Sequence, residues 1–406
     1  MDVFVARQAI FDRQLKVQGY ELLARSCLDG VRAHAHDLMA SLQVITNSFL
    51  SMGVENVLGG KRAFINFPQE LLQDERALVL PPKTTVIEIL ETVKPEPAVI
   101  AACRALRDKG YTLALDDFNP KNGWSQFTDL VSIIKIDFRA TSRGEQRKLV
   151  KRYAPQGIRM LAEKVETQAE FREACQMGYD LFQGYFFARP VVLSRHEIPV
   201  CKLNHLRILE QLHRPELDYP AIEKLIRREV SLASKLLRFI NSALFAWGQP
   251  VQSIMQALTG MGDHEIRTWV SLATLPSLTV DKPDELMRTA LVRARFCELL
   301  APGTGLDHRK ADLFLIGLFS LLDAMLDRPL REVLAEIKLN GEIAGVLLNK
   351  VATGNRLTSV YALIRQYEAG QWELLAATAD SLKIPRNSVP EIYLDAVAWS
   401  EKIFRC

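Results

Sequence analysis

The sequence predicts an α/β barrel followed by an all-α domain. Short β-type runs alternate with helical periodicity from Met1 to about Pro190, and beyond about Lys202 the β-type runs nearly vanish. The chain of 406 residues also exceeds the ~150 of a typical domain. Between the two regimes lies ARPVVLSRHEIPVCK, whose prolines and mixed polarity mark a connector, so the domains are expected at 1–196 and 197–406.

Each element follows from its pattern. Phe4 to Ala6 and Val17 to Glu21 flank the turn-like FDRQLK and read as a hairpin, and a helix is expected over 37–52. Strand runs follow at 63–67 (AFINF), 84–90 (TTVIEIL) and 112–117 (TLALDD), with a helix from Pro97 to Lys109 stopped by Gly110. IIKID at 133–137, a helix from about Glu145 to Tyr153, RMLAE at 159–163, a helix from Thr167 to Met177 stopped by Gly178, and DLFQG at 180–184 continue the rhythm. Strands separated by helices need crossover connections, so the sheet is mostly parallel, and this many units in so short a span suit a closed barrel.

The second half reads as helix after helix. In SLASKLLRFINSALFAW at 231–247, Leu232, Leu236, Ile240 and Leu244 share one stripe with Phe239 and Ala243. ADLFLIGLFSLLDAML, from Ala311, is apolar nearly all round and is expected to be a buried central helix. Gly341, Gly354 and Gly370 are expected as stops or turns between later helices.

Composition narrows the function. Hydrophobic residues at 48% and charged residues at 24% exclude a disordered or fibrous chain. Lys+Arg 51 against Asp+Glu 48 gives +3, which offers no basic footprint for polymeric nucleic acid or a membrane surface. Cys27, Cys103, Cys175, Cys201, Cys297 and Cys406 form no CxxC pair, as expected of isolated thiols in a reducing compartment. The N-terminus has no apolar core of signal-peptide length, and the stretch from Phe314 to Leu322 is too short to span a bilayer. A cytoplasmic location is expected.

The chemistry gathers at strand ends. Reading each β-type run to its C-terminal end gives Glu21, Asn66, Glu88, the pair Asp116 and Asp117, Lys135, Glu163 and Gln183. A single acid at such a place is usually a helix cap or a surface charge. A succession of them in a parallel barrel converges on one mouth, where such folds place active sites. Crowded carboxylates raise one another's pKa unless a cation compensates, and oxygen donors suit a hard divalent metal. Asp116 and Asp117 diverge unless the strand ends there, which would let both reach metals. Lys135 would orient a water or neutralise phosphate charge, and Glu163 is the candidate base. Arg25 is either a surface cation or a fork for a phosphate.

At these residues a family resemblance emerges. GYELLAR at 19–25 resembles the signature of the EAL family of cyclic di-GMP phosphodiesterases, with Leu22 where the naming alanine stands. FINF with Asn66, EILE with Glu88 and Glu91, Asp116-Asp117-Phe118, Lys135-Ile136-Asp137, AEKVE with Glu163, and Gln183-Gly184-Tyr185 follow in order. The resemblance implies a modified (β/α)8 TIM barrel with one antiparallel strand. It implies that Glu21, Asn66, Glu88 and Asp116 hold one Mg2+ or Mn2+, while Asp116 and Asp117 serve a second. By the same resemblance Lys135 and Glu163 act on the attacking water, Gln183 completes the site, Gln8 and Arg25 contact the dinucleotide, and Glu91 steadies the loop after the double aspartate. The chain departs from the pattern in that loop, DDFNPKNGWSQF, where Asn119 and Pro120 replace small flexible residues, and at Lys164, where a glycine is common.

The helical half resembles the HDOD domain through LIRREVSLASKLLRFINSA and FLIGLFSLLDAML. His205, His213, His264 and His308 form no His…His-Asp series, so no metal chemistry is expected there. The resemblance implies a bacterial signalling protein with a protein partner for the helical half and a homodimer. The reading that follows is a divergent EAL domain that binds cyclic di-GMP or serves as a degenerate regulatory module; its alternative is an active phosphodiesterase producing linear pGpG, and a third is an adaptor that binds no nucleotide.

Overall fold

The computed structural model describes residues 3–26, 58–74, 80–120, 124–188, 200–212, 216–229, 232, 233, 236, 240, 251, 253–280, 282–337, 339, 341–350 and 354–405. Eight strands close into a barrel in chain order: β1 (Val3–Asp12), β2 (Val17–Ser26), β3 (Arg62–Phe67), β4 (Thr85–Ile89), β5 (Thr112–Leu115), β6 (Ile133–Asp137), β7 (Arg159–Glu163) and β8 (Leu181–Gln183). Neighbours from β2 to β8 run parallel, while β1 is antiparallel to both β2 and β8. The barrel with one antiparallel strand is therefore the fold that the strand rhythm and the family resemblance imply.

Local chemistry explains the boundaries. The β1–β2 turn is closed by Asp12, whose Oδ1 accepts from the amides of Gln14 and Lys16, both at 2.9 Å. This hairpin is longer than the expected one, because paired registry continues to Val3↔Ser26. Helix α1 (Pro97–Asp108) opens on proline and is followed by Gly110 at φ 92. Helix α2 (Arg143–Tyr153) begins ahead of the expected Glu145, because Ser142 caps it by accepting from the Glu145 amide. Helix α3 (Gln168–Met177) carries a Thr167–Glu170 capping box and ends on Gly178 at φ 103. The helix expected over 37–52 lies outside the described residues.

An apolar layer plugs the barrel and fixes the height of everything above it. Ile10, Phe64, Val86, Ala114, Ile133, Leu161 and Leu181, one from each strand except β2, form a buried cluster. On β2 the equivalent place is Gly19, where a Cβ would lie 2.6 Å from the Phe64 ring. Side chains alternate along a strand, so residues two positions further along face the same interior. Those residues are Glu21, Asn66, Glu88, Asp116, Lys135, Glu163 and Gln183. On the reversed strand β1 the count runs backwards from Ile10 to Gln8.

The chain divides into two compact units, Met1–Arg189 with Leu363–Cys406, and Pro190–Ala362. In the first unit the last helix (Ser388–Arg405) packs against β1. Arg7 Nη1 meets Glu401 Oε1 at 3.2 Å, both side chains being nearly fully buried.

Among the described residues of the second unit every regular element is a helix. It includes α4 (Val200–Leu212), α5 (Tyr219–Ile226), α6 (Ile254–Met261), α7 (Asp263–Leu278), α8 (Asp284–Leu299) and α9 (Lys310–Phe319). Of the helix expected over 231–247, Leu232, Leu236 and Ile240 are described, helical and buried; Phe239, Ala243 and Leu244 lie outside the described residues. The helix expected from Ala311 through the whole apolar run instead ends at Phe319. There Ser320 Oγ donates back to the Gly317 carbonyl at 2.7 Å and accepts from Arg293 Nη1 at 2.9 Å, and a short helix resumes at Leu322–Leu326. Gly317 permits this packing, since a Cβ there would lie 2.4 Å from the Arg293 backbone. Gly354 and Gly370 sit in turns at φ 104 and φ 65, whereas Gly341 opens a helix, Gly341–Leu347. Among the described residues no helix is long and apolar enough to cross a membrane.

Candidate functional site

The polar layer above the plug is one connected cluster. Lys135, on β6, is entirely buried, and its ammonium meets carboxylates from four other strands or strand ends. Glu21 Oε2 lies at 3.1 Å, Glu88 Oε1 at 2.8 Å, Asp116 Oδ1 at 2.7 Å and Glu163 Oε1 at 2.9 Å. Gln183 Nε2 donates to Glu21 Oε2 at 2.7 Å and to Gln8 Oε1 at 2.9 Å, and Asn66 Nδ2 approaches Glu21 Oε1 at 3.5 Å. Residues distant in sequence are thus joined because each stands one pleat above the same apolar layer.

Asp116 and Asp117 part even though the strand ends before them, because Asp117 turns into a left-handed conformation. β5 ends at Leu115, the Asp116 amide donates to the Ile89 carbonyl at 3.0 Å, and Asp117 turns to φ 43. Asp116 reaches the buried ammonium, whereas Asp117 lies toward the rim, 4.0 Å from Lys164 Nζ. Glu91 is exposed in the turn after β4, and no hydrogen bond or ion pair to it is found among the described residues. Residues 121–123 of the loop it was expected to steady, and the side chain of Arg25, lie outside the described residues.

Four carboxylates facing one ammonium leave an excess of negative charge in a desolvated place. Burial, then Glu21 and Asp116, push the Glu88 carboxyl well above the usual carboxylate range, with Lys135 opposing them. Burial pushes Glu163 up to about 8, helped by Asp116, Glu21 and Asp117 against the pull of Lys135. For Lys135, burial alone would favour the neutral amine; Asp116, Glu163, Glu21 and Glu88 outweigh it and hold the ammonium well above its ordinary value.

The donor set fits a hard divalent cation. Glu21, Asn66, Glu88, Asp116 and Asp117 offer oxygen atoms, and the buried Glu88 Oε2 has no hydrogen-bond partner. Among the described residues no three acidic, histidine or cysteine side chains already surround a common metal position. The point where four carboxylates converge holds the Lys135 ammonium instead.

Two residues at the rim were given no role from the sequence. Asp137, two positions beyond Lys135 on β6, accepts from Lys164 Nζ at 2.6 Å and from the amides of Arg139 and Ala140, both at 2.8 Å. Burial would raise the Asp137 carboxyl, but these hydrogen bonds hold it below its ordinary value. Continuing the count of two along β6 finds Asp137. Lys164 follows Glu163 directly, and the period-two count skips it.

Comparison with known proteins agrees with this architecture. Residues 31–190 match the EAL domain and residues 198–326 the HDOD domain. Over 99% of its length the chain is 34% identical to the uncharacterized protein YuxH of Bacillus subtilis, covering 99% of that protein. Over 99% of its length it is 33% identical to the cyclic di-GMP phosphodiesterase CdgJ of Vibrio cholerae, covering 93% of it. A solved manganese and cyclic di-GMP complex of Klebsiella pneumoniae BlrP1 at pH 9.0 is 26% identical, with a TM-score of 0.39, over 46% of this chain and 55% of that one. With an EAL domain followed by an HDOD domain and full-length relatives at this identity, the chain belongs to the EAL–HDOD family.

Proposed function

We propose that this protein is a bacterial cyclic di-GMP signalling protein whose barrel mouth takes up the dinucleotide with divalent cations and opens one of its phosphodiester bonds to give linear pGpG. The observation that carries the proposal is the convergence of Glu21, Glu88, Asp116 and Glu163 on the buried Lys135 ammonium, each within 3.1 Å. Such a mouth repels phosphate until cations neutralise it. The full-length similarity to a cyclic di-GMP phosphodiesterase supports the same substrate class.

Mg2+ or Mn2+ held by Glu21, Asn66, Glu88 and Asp116, with a second ion at Asp116 and Asp117, would neutralise phosphate charge and polarise the phosphodiester. The chain's own residues supply the rest. Glu163, whose carboxyl is held in its protonated form by burial and acidic neighbours until bound cations offset them, can then take a proton from an attacking water. Lys135 places a fixed positive charge where negative charge develops on the phosphate. Gln183 locks Glu21 and Gln8 together, which sets the depth at which Gln8, with Arg25, would meet the dinucleotide. A second reading, binding without turnover, is favoured by the Asn119-Pro120 step close after Asp117, because proline fixes the backbone of the loop at the rim.

The helical unit, with no histidine–aspartate series, is assigned to a protein partner, and the protein is expected to be cytoplasmic and a homodimer. A concentration-independent monomer in sedimentation would remove the dimer. The nucleotide reading is tested by calorimetric titration of cyclic di-GMP with Mn2+ or with EDTA, followed by chromatography of the products. Binding that needs the metal, together with linear product, is expected. Binding without product leaves the regulatory reading, and neither signal contradicts both.

A further inference from the structure

Lys164 lies outside every role assigned above, yet it is placed with care. It follows Glu163 at the end of β7 with φ 55, a left-handed conformation that side chains other than glycine adopt at a cost. Its ammonium donates to Asp137 Oδ2 at 2.6 Å and stands 4.0 Å from Asp117 Oδ1. The other oxygen of Asp137 is fixed by the amides of Arg139 and Ala140, so the carboxylate that anchors Lys164 is itself anchored. The ammonium is therefore held beside Asp117 by backbone geometry and by a second acid.

The charges at the two levels of the mouth differ. At the inner level four carboxyl groups share one ammonium, so three negative charges remain to be met once all four ionise around a divalent ion. At the rim, Asp117 and Asp137 share Lys164, leaving one. A divalent ion set against Asp117 would meet the Lys164 ammonium at close range, and two like charges a few ångströms apart repel appreciably even in water. The inner level calls for a divalent cation; the rim already contains a monovalent one.

The geometry assigns to Lys164 the part of a built-in cation at the outer position, so that the chain takes up one divalent ion at its inner carboxylates much more tightly than a second at Asp117. This rests on the metal-loaded reading proposed above and adds to it an order of filling. Turnover, where it needs both ions, would then follow the concentration of free divalent cation above the level that fills the inner position.

The test is titration of Mn2+ into the full-length protein without nucleotide, read by calorimetry and by the paramagnetic resonance of bound Mn2+. Lys164→Gly suits the left-handed backbone, and Lys164→Met keeps the stem while removing the charge. The unaltered protein is expected to bind one ion tightly and a second at least about tenfold more weakly. Both variants should tighten the second ion by about tenfold or more and change the first by less than about twofold. Adding Asp117→Asn to Lys164→Met should abolish the gain. Two ions of equal affinity in the unaltered protein, a second affinity unmoved in both variants, or a gain in Lys164→Gly alone would overturn the role of Lys164 while leaving the metal reading intact. No bound ion in any of these proteins would overturn both.

Discussion

Lys135 Nζ lies 2.8 Å from Glu88 Oε1, and neither side chain has any exposure to solvent. The two stand on β6 and β4, separated by β5, and meet at the barrel axis because each sits two residues beyond the apolar layer of Ile133 and Val86. Glu88 pays for its position, since burial and the neighbouring Glu21 and Asp116 disfavour its ionised form. Glu88→Gln keeps the shape and removes the charge. It is expected to stabilise the metal-free protein by about 1 kcal/mol while weakening Mn2+ uptake more than tenfold. Thermal melts in EDTA and Mn2+ calorimetry check both halves.

The pH dependence of the metal-free protein follows from the same crowding. Glu163 moves from an ordinary 4.5 to about 8 on folding, and Glu88 moves in the same direction. Between those values the folded chain holds protons that the unfolded chain has released, so stability falls as pH rises from about 4.5 to about 8. Melts in EDTA across that window should show the decline. Glu163→Gln should flatten its upper part, and Mn2+, which favours the ionised carboxylates, should reverse it.

Gly184 should tolerate nothing larger. It stands at φ 141 directly after Gln183, and a Cβ there would lie 1.9 Å from the Val165 carbonyl oxygen. Gly184→Ala is expected to cost about 3 kcal/mol or more, through strain and displaced backbone. Because Val165 N donates to the Gln183 carbonyl at 2.9 Å, the displacement should also disturb the Gln183–Glu21 contact. Denaturant melts and Mn2+ affinity of the variant measure the two effects.

The last helix should prove part of the barrel unit. Arg7, beside Gln8 on β1, pairs with Glu401 of the last helix and lies 4.4 Å from the centre of the Tyr20 ring. Removing one partner of a buried pair takes away part of the compensation of the other charge, so Glu401→Ala is expected to cost about 3 kcal/mol. Replacing both, as Arg7→Met with Glu401→Leu, should recover most of it. A double-mutant cycle in urea gives the answer.

Much of this was legible in the sequence, and the reason is periodicity. The strand runs could be read to their ends, and a period of two carried each polar residue, from Asn66 to Gln183, to one face above one layer. Gln8 obeys the same count backwards, but only once β1 is known to be antiparallel, which the family resemblance implied without saying which strand. Asp137 lay within reach of the count and received no role, because a strand-final acid beside Lys135 also reads as a cap. Lys164 was marked only as a departure from glycine; its proximity to Asp117 depends on a left-handed backbone that no pattern of polarity reveals. The break at Ser320 escaped for a similar reason, since an apolar run looks continuous until a buried arginine and a carbonyl claim its hydroxyl.

Opening of cyclic di-GMP by the carboxylate ring at the barrel mouth, loaded with divalent cations, is the proposed reaction. The most direct measurement is the yield of linear pGpG from cyclic di-GMP with saturating Mn2+, for the unaltered protein and for Glu21→Ala. Product is expected from the first and a loss of at least about a hundredfold in the second, the scale of removing a metal ligand's support. Equal product from both, or none from the unaltered protein at any Mn2+ concentration, would contradict it.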